Sequence, residues 1–128
     1  MREECEELQR FIRGEMDATR FPHREHVRMG FEMLRRHEFV ETALHYSRAL
    51  RIMAARAGKP QAFHQTTTIA FLSLMAERLE CASHTDFEAF ASANPDLFDK
   101  SVLTRRYSAA RLGSEAARRT FLLPDAIV

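Results

Sequence analysis

The chain is poor in cysteine, nearly lacks lysine and has no long apolar run. Its two cysteines, Cys5 and Cys81, stand far apart with neither a C-x-x-C pair nor a framework spacing, which excludes a disulfide scaffold and a thiol redox motif. No apolar window approaches the roughly eighteen residues of a membrane helix. The opening MREECEELQR lacks the basic start and apolar stretch of a secretory leader. A soluble, unanchored cytoplasmic protein is therefore expected, with no membrane partner. Of the 19 basic residues only Lys59 and Lys100 are lysines. An arginine bias suits oxyanion binding, and a GC-rich genome produces it as well. H-E-x-x-H and the E-x-x-H pairs of diiron bundles are absent, as are internal repeats, low-complexity runs and interdomain linkers. A formal net charge of +1 and the lack of a reader motif argue against nucleic acid, whose contacts would fall to Arg105, Arg106, Tyr107, Arg111, Arg118 and Arg119.

What is present is helical periodicity. With 128 residues, 45% apolar content and ten phenylalanines, the chain can bury a core without disulfide or metal staples. Arg2–Arg13 places Cys5, Leu8 and Ile12 on one face. Pro22 suits the first position of a helix running to Arg36. Val27, Gly30, Phe31 and Leu34 share its dry side with His23 and His26, opposite Arg24, Glu25, Arg28, Glu32, Arg35 and Arg36. A third helix, Glu38–Ala57, buries Phe39, Ala43, Tyr46, Leu50, Met53 and Ala54, and Gly58 sits where a left-handed cap would stop it. The fourth, Ala62–Leu79, gathers His64, Thr68, Phe71, Leu72, Met75 and Leu79 on one arc, with Thr66, Ser73, Glu77 and Glu80 opposite. Beyond Cys81 the pattern shortens. Thr85–Glu88 reads as a capping box, Pro95–Phe98 as a turn, Ser101–Tyr107 as irregular, and Ser114 as the cap of Glu115–Thr120 before an extended end. The expected fold is all-α and a single domain over 1–128. It is a compact bundle of four main helices, about 1–81, with a C-terminal wrap of short helices over 82–128.

Three histidines on apolar arcs suggest a site. His23 and His26 are neighbours on one helix face, and His64 lies near the start of another helix. Together they form a ligand set for one divalent transition-metal ion, with a position left open for water or substrate. Dropping the metal leaves a pocket for a small-molecule ligand or substrate, lined by Gly30, Phe31, Tyr46, Thr68 and Phe71, with His64 and His26 as acid–base residues. The protein is then a small metal-dependent or acid–base enzyme, or a non-catalytic binding protein. The plain alternative is that the histidines are core residues bonded to neighbours such as Thr67, Thr68 or Tyr46. Monomer and homodimer are both compatible with these readings.

In the blocks FPHREHVRMGFEMLRR, FHQTTTIAFLSLMAERL, NPDLFDKSVLTRRY and ARRTFLLPD, from about Phe21 to Asp125, the chain resembles a family of small, uncharacterised bacterial helical proteins. The resemblance draws attention to His23, Arg24, Glu25, His26, His64, Thr66, Thr68, Glu77, Asp96 and Asp125, and implies no chemistry for them. Gln65 departs from the acidic residue that often follows the second-block histidine, so an acid plays no part there.

Overall fold

A computed structural model describes residues 2–84, 86–99 and 101–126, with side chains from Glu6 onward. The reading of Cys5 as a core residue and the role of Thr85 fall outside the described side chains and residues. All regular structure among the described residues is helical, and no helix there is long and apolar enough to cross a membrane. The chain divides into two compact units, 1–63 and 64–128. That boundary lies just ahead of the fourth main helix, and each unit is described by itself.

In the first unit α1 (Arg2–Ile12), α2 (His23–Arg36) and α3 (Phe39–Arg56) each pack against the other two. The two ends that need a left-handed residue have glycine. Gly14 has φ +72° and Gly58 φ +77°. After α1, Gly14 N–H donates to the Phe11 carbonyl (2.8 Å) and Glu15 N–H to that of Arg10 (3.0 Å). After α3 the same pair recurs as Gly58 to Ala55 (3.0 Å) and Lys59 to Ala54 (2.9 Å). These are paired Schellman closures, which satisfy carbonyls that the helix leaves open. Arg56 then donates to the Gly14 carbonyl at 3.1 Å, linking the two closures. Arg28 joins α1 to α2 by pairing with Glu7 (2.6 Å) and Glu25 (2.7 Å).

Two faces differ from the sequence expectation. Glu32, placed on the wet side of α2, is buried. It is tolerated there because Arg36, one turn on, meets its carboxylate at 2.5 Å and Arg35 stands 3.8 Å away. On α3 the buried side is Thr42, Tyr46, Ser47, Ala49 and Met53, rotated from the expected one. Phe39, Ala43, Leu50 and Ala54 are only half-buried, and Val40 and Leu44 are exposed.

The second unit is built on α4 (Gln65–Cys81), which packs against α7 (Glu115–Arg119) and the 3-10 turn Val102–Arg105. Between them lie α5 (Phe87–Ala93), a 3-10 turn Pro95–Phe98 and α6 (Ala109–Leu112). Short helices depend on their caps, and each has one. Asp86, Ser108 and Ser114 accept from the backbone N–H of Ala89, Arg111 and Ala117. The last described residues, 121–126, have no regular secondary structure and form a strap. Side chains hold this strap by its backbone. Tyr107 donates to the Leu122 carbonyl (2.8 Å) and Arg111 to that of Leu123 (2.7 Å). Asp125 accepts from both the N–H and the hydroxyl of Ser108 (2.8 and 2.7 Å). Thr66, expected on the outer side of α4, is instead fully buried. Its hydroxyl donates to the Thr120 carbonyl (2.7 Å) and accepts from Leu122 N–H (3.0 Å).

Candidate functional site

The residues singled out by the sequence fall in both units. His26, Gly30, Phe31 and Tyr46 lie in the first with His23; His64, Thr68 and Phe71 lie in the second. His26 belongs to an aromatic cluster. Its ring lies 4.8 Å from that of Phe21, which stacks on Phe11 at 5.5 Å, and Phe11 meets Tyr46 at 5.4 Å. The His26 Nε2 stands 3.1 Å from the Phe21 carbonyl, so Nε2 carries the proton. The buried Tyr46 hydroxyl donates to the His26 carbonyl at 2.8 Å. Burial, and secondarily the nearby His23, lower the His26 pKa, and the bond to Phe21 opposes them. The two imidazoles are 6.5 Å apart between centroids. Desolvation likewise pushes the Tyr46 phenol well above its ordinary value. Gly30 and Phe31 are buried, and Arg35 stacks over the Phe31 ring at 5.1 Å.

His64 precedes α4 as its N-cap instead of pointing from its apolar face. Its Nδ1 accepts from Thr67 N–H at 3.1 Å and its Nε2 donates to the Leu112 carbonyl at 2.7 Å. Its own carbonyl accepts from the Thr68 hydroxyl at 2.7 Å. Both ring nitrogens are thus spent on the backbone, which makes this histidine a clasp between the start of α4 and the end of α6. Phe71 is half-buried. Among the described residues no three His, Cys, Asp or Glu side chains are grouped so as to hold a metal ion, and no buried side-chain nitrogen or oxygen lacks a partner.

A concave feature of the second unit lies elsewhere. A cleft of about 470 Å³, within the range of small-molecule sites, is walled by Arg78, Asp96, Asp99, Ser101, Arg105 and Arg106, with Val102 and Ala126. Its charges sort themselves. Arg78 grips Asp96 with both terminal nitrogens (2.9 and 2.7 Å) and also reaches the Asn94 amide oxygen (2.8 Å). That fork holds the Asp96 carboxyl below its ordinary pKa and raises that of Arg78. Asp99 turns one oxygen back onto the N–H and hydroxyl of Ser101 (2.9 and 2.8 Å), and these bonds lower its pKa too. Arg105 and Arg106 are exposed. Among the described residues neither guanidinium has a hydrogen-bonded or ion-pair partner, and Arg105 acts on Asp96 only through its field. The carbonyl of Arg106 accepts from Ala126 N–H at 3.0 Å, so the end of the strap forms part of the wall.

The sequence offers Arg105 and Arg106 only as the contacts nucleic acid would use, a partner it argues against, and the resemblance draws attention to Asp96, but nothing in it assembles the cleft. Its walls come from residues 78, 96, 99, 101, 102, 105, 106 and 126, and only the pair of adjacent arginines is a local signal. Glu77, also singled out, is exposed on α4 next to the Arg78 fork. No family model, curated protein or solved structure matches the chain, so a functional reading rests on this geometry alone.

Proposed function

We propose that this is a non-catalytic binding protein for a small anionic solute, a carboxylate or phosphate, taken up in the arginine-lined cleft of the second unit. The observation that carries the reading is the division of labour among its three arginines. Arg78 is neutralised by Asp96, whereas Arg105 and Arg106 line the same hollow and their guanidinium groups have no acceptor among the described residues. A guanidinium offers a planar fork of donors that matches an oxyanion, and two adjacent ones favour a bidentate or bridged anion. The apolar edge of Val102 completes a site of suitable size. The engagement of His64 by Thr67 and Leu112 supports binding without acid–base chemistry there. Titration with inorganic phosphate and with acetate, followed by backbone amide NMR shifts, is expected to move residues 99–106. In the Arg105→Gln/Arg106→Gln double variant the affinity should fall at least about tenfold. Absence of shifts at millimolar anion would overturn the reading.

A second reading is favoured by one observation. His23 and His26 stand side by side, and the environment of His26 favours the neutral imidazole that ligates a metal or accepts a proton. On that reading the first unit carries a site for a divalent transition-metal ion or an acid–base pair acting on a small metabolite. Near-stoichiometric metal in protein purified without an affinity tag would support it. A metal content unchanged in His23→Ala would remove it.

A further inference from the structure

Arg106 lines a second hollow. A slot of about 190 Å³ is walled by Ala70, Ser73, Leu74 and Glu77 of α4, by Arg106 and Tyr107, and by Phe121 and Pro124 of the strap. Most of those walls are apolar. Its volume is comparable to the ~150 Å³ that accommodates a benzene ring in a protein interior. The strap side is formed by a backbone that Thr66, Tyr107 and Arg111 hold in place, so the slot does not depend on a loose cover. Cleft and slot thus flank one residue, Arg106, whose guanidinium has no acceptor of its own among the described residues.

We infer that the ligand is a small acid carrying an apolar ring, its carboxylate held by Arg105 and Arg106 and its ring seated in the slot between α4 and the strap. The inference rests on the anion-binding reading above and deepens it by naming the ligand class. An oxyanion alone would occupy the arginines and leave the slot empty. A neutral ring alone would gain the apolar walls without a partner for either guanidinium. A molecule with both parts, joined past Arg106, which lines both hollows, satisfies both at once. Peptide-like acids ending in a phenylalanine belong to the same class as simple aryl alkanoates.

The test uses the 128-residue chain and four probes: acetate, inorganic phosphate, 3-phenylpropionate and benzyl alcohol. Affinities are read from amide NMR shifts. The expected order places 3-phenylpropionate on the order of tenfold or more above acetate, from burial of the ring. Shifts should appear at both residues 101–106 and residues 70–74, and benzyl alcohol should bind more weakly than the aryl acid. Ser73→Leu puts a side chain into the slot and should erase the advantage of 3-phenylpropionate over acetate. Arg105→Gln should weaken both acids. If acetate and phosphate bind but 3-phenylpropionate binds no better, or Ser73→Leu leaves its advantage intact, the ligand class is wrong and the anion site stands. If none of the acids binds, both readings fall.

Discussion

Thr66 and His26 show how much one side chain can carry in this chain. The Thr66 hydroxyl is fully buried and serves two backbone groups, the Thr120 carbonyl and the Leu122 N–H. Thr66→Val keeps the shape and removes both bonds, leaving two backbone polar groups to find other partners. A loss of about 2 kcal/mol in chemical denaturation is expected. A loss below about 0.5 kcal/mol would mean that water replaces the hydroxyl there. His26 has the opposite character, being a titratable group whose proton the fold resists. Its folded pKa lies below the unfolded one, so as pH falls below about 6.5 the unfolded chain takes up a proton that the folded chain refuses. Stability is then full above that pH and declines as it drops toward the folded pKa. The other groups facing the ring are His23, whose charge lowers the His26 pKa further, and Phe21, whose carbonyl favours retention of the proton. Denaturation midpoints measured from pH 7.5 to 5 should fall in the wild type, and the part of that slope due to His26 should vanish in His26→Gln. An identical slope in both proteins would show that His26 is not the group responsible.

At the scale of elements, the ends of α1 and α3 offer a matched comparison. Both close through a glycine in the left-handed region with the same pair of hydrogen bonds. A methyl group on Gly58 would meet nothing within 4 Å, whereas on Gly14 it would lie 2.5 Å from Cγ2 and 2.7 Å from Cβ of Ile52. Gly58→Ala should therefore cost only the backbone strain, about 1 kcal/mol. Gly14→Ala adds overpacking and should cost about 3 kcal/mol. Equal costs in urea titrations would contradict the packing at Ile52. These ends also show what a sequence can disclose. Gly58 and Ser114 are legible as stop and start signals because each acts within a few residues of itself. The buried faces are less so. Glu32 looks solvent-facing by its charge, and only its geometry with Arg35 and Arg36 explains its burial. Thr66 falls on the polar side of a helical wheel, yet its partners lie 54 and 56 residues away on the strap. His64 fits the helical period but stands one residue before the helix, where a ring nitrogen can cap it. A period cannot distinguish the last position outside a helix from the first one inside.

At the scale of the whole molecule, the question is where the chain can be divided. Periodicity describes one domain whose long regular helices end near Cys81. Contacts group the chain as 1–63 and 64–128, and in the second unit α4 packs with α7 and with the turn Val102–Arg105. Cutting after Cys81 leaves α4 without either neighbour and takes away the strap that Thr66 holds. α4, which carries the buried Leu72, Leu74 and Met75, would lose its packing against α7 and the turn Val102–Arg105. An apolar surface left unpacked promotes association, and a helix of this length without a packed face is marginal in water. The 1–81 fragment is therefore expected to aggregate or to unfold without cooperativity. Cutting after Phe63 spares the contacts inside both units. At about 65 residues each piece buries only about 60% of its unfolded surface and is correspondingly marginal. Even so, 64–128 should keep α4 helical with the strap in place, seen as slowed amide exchange at Leu122, whose N–H is bonded to Thr66. A soluble 1–81 fragment with a single sharp urea transition would contradict this division, as would fast exchange at Leu122 in the 64–128 fragment.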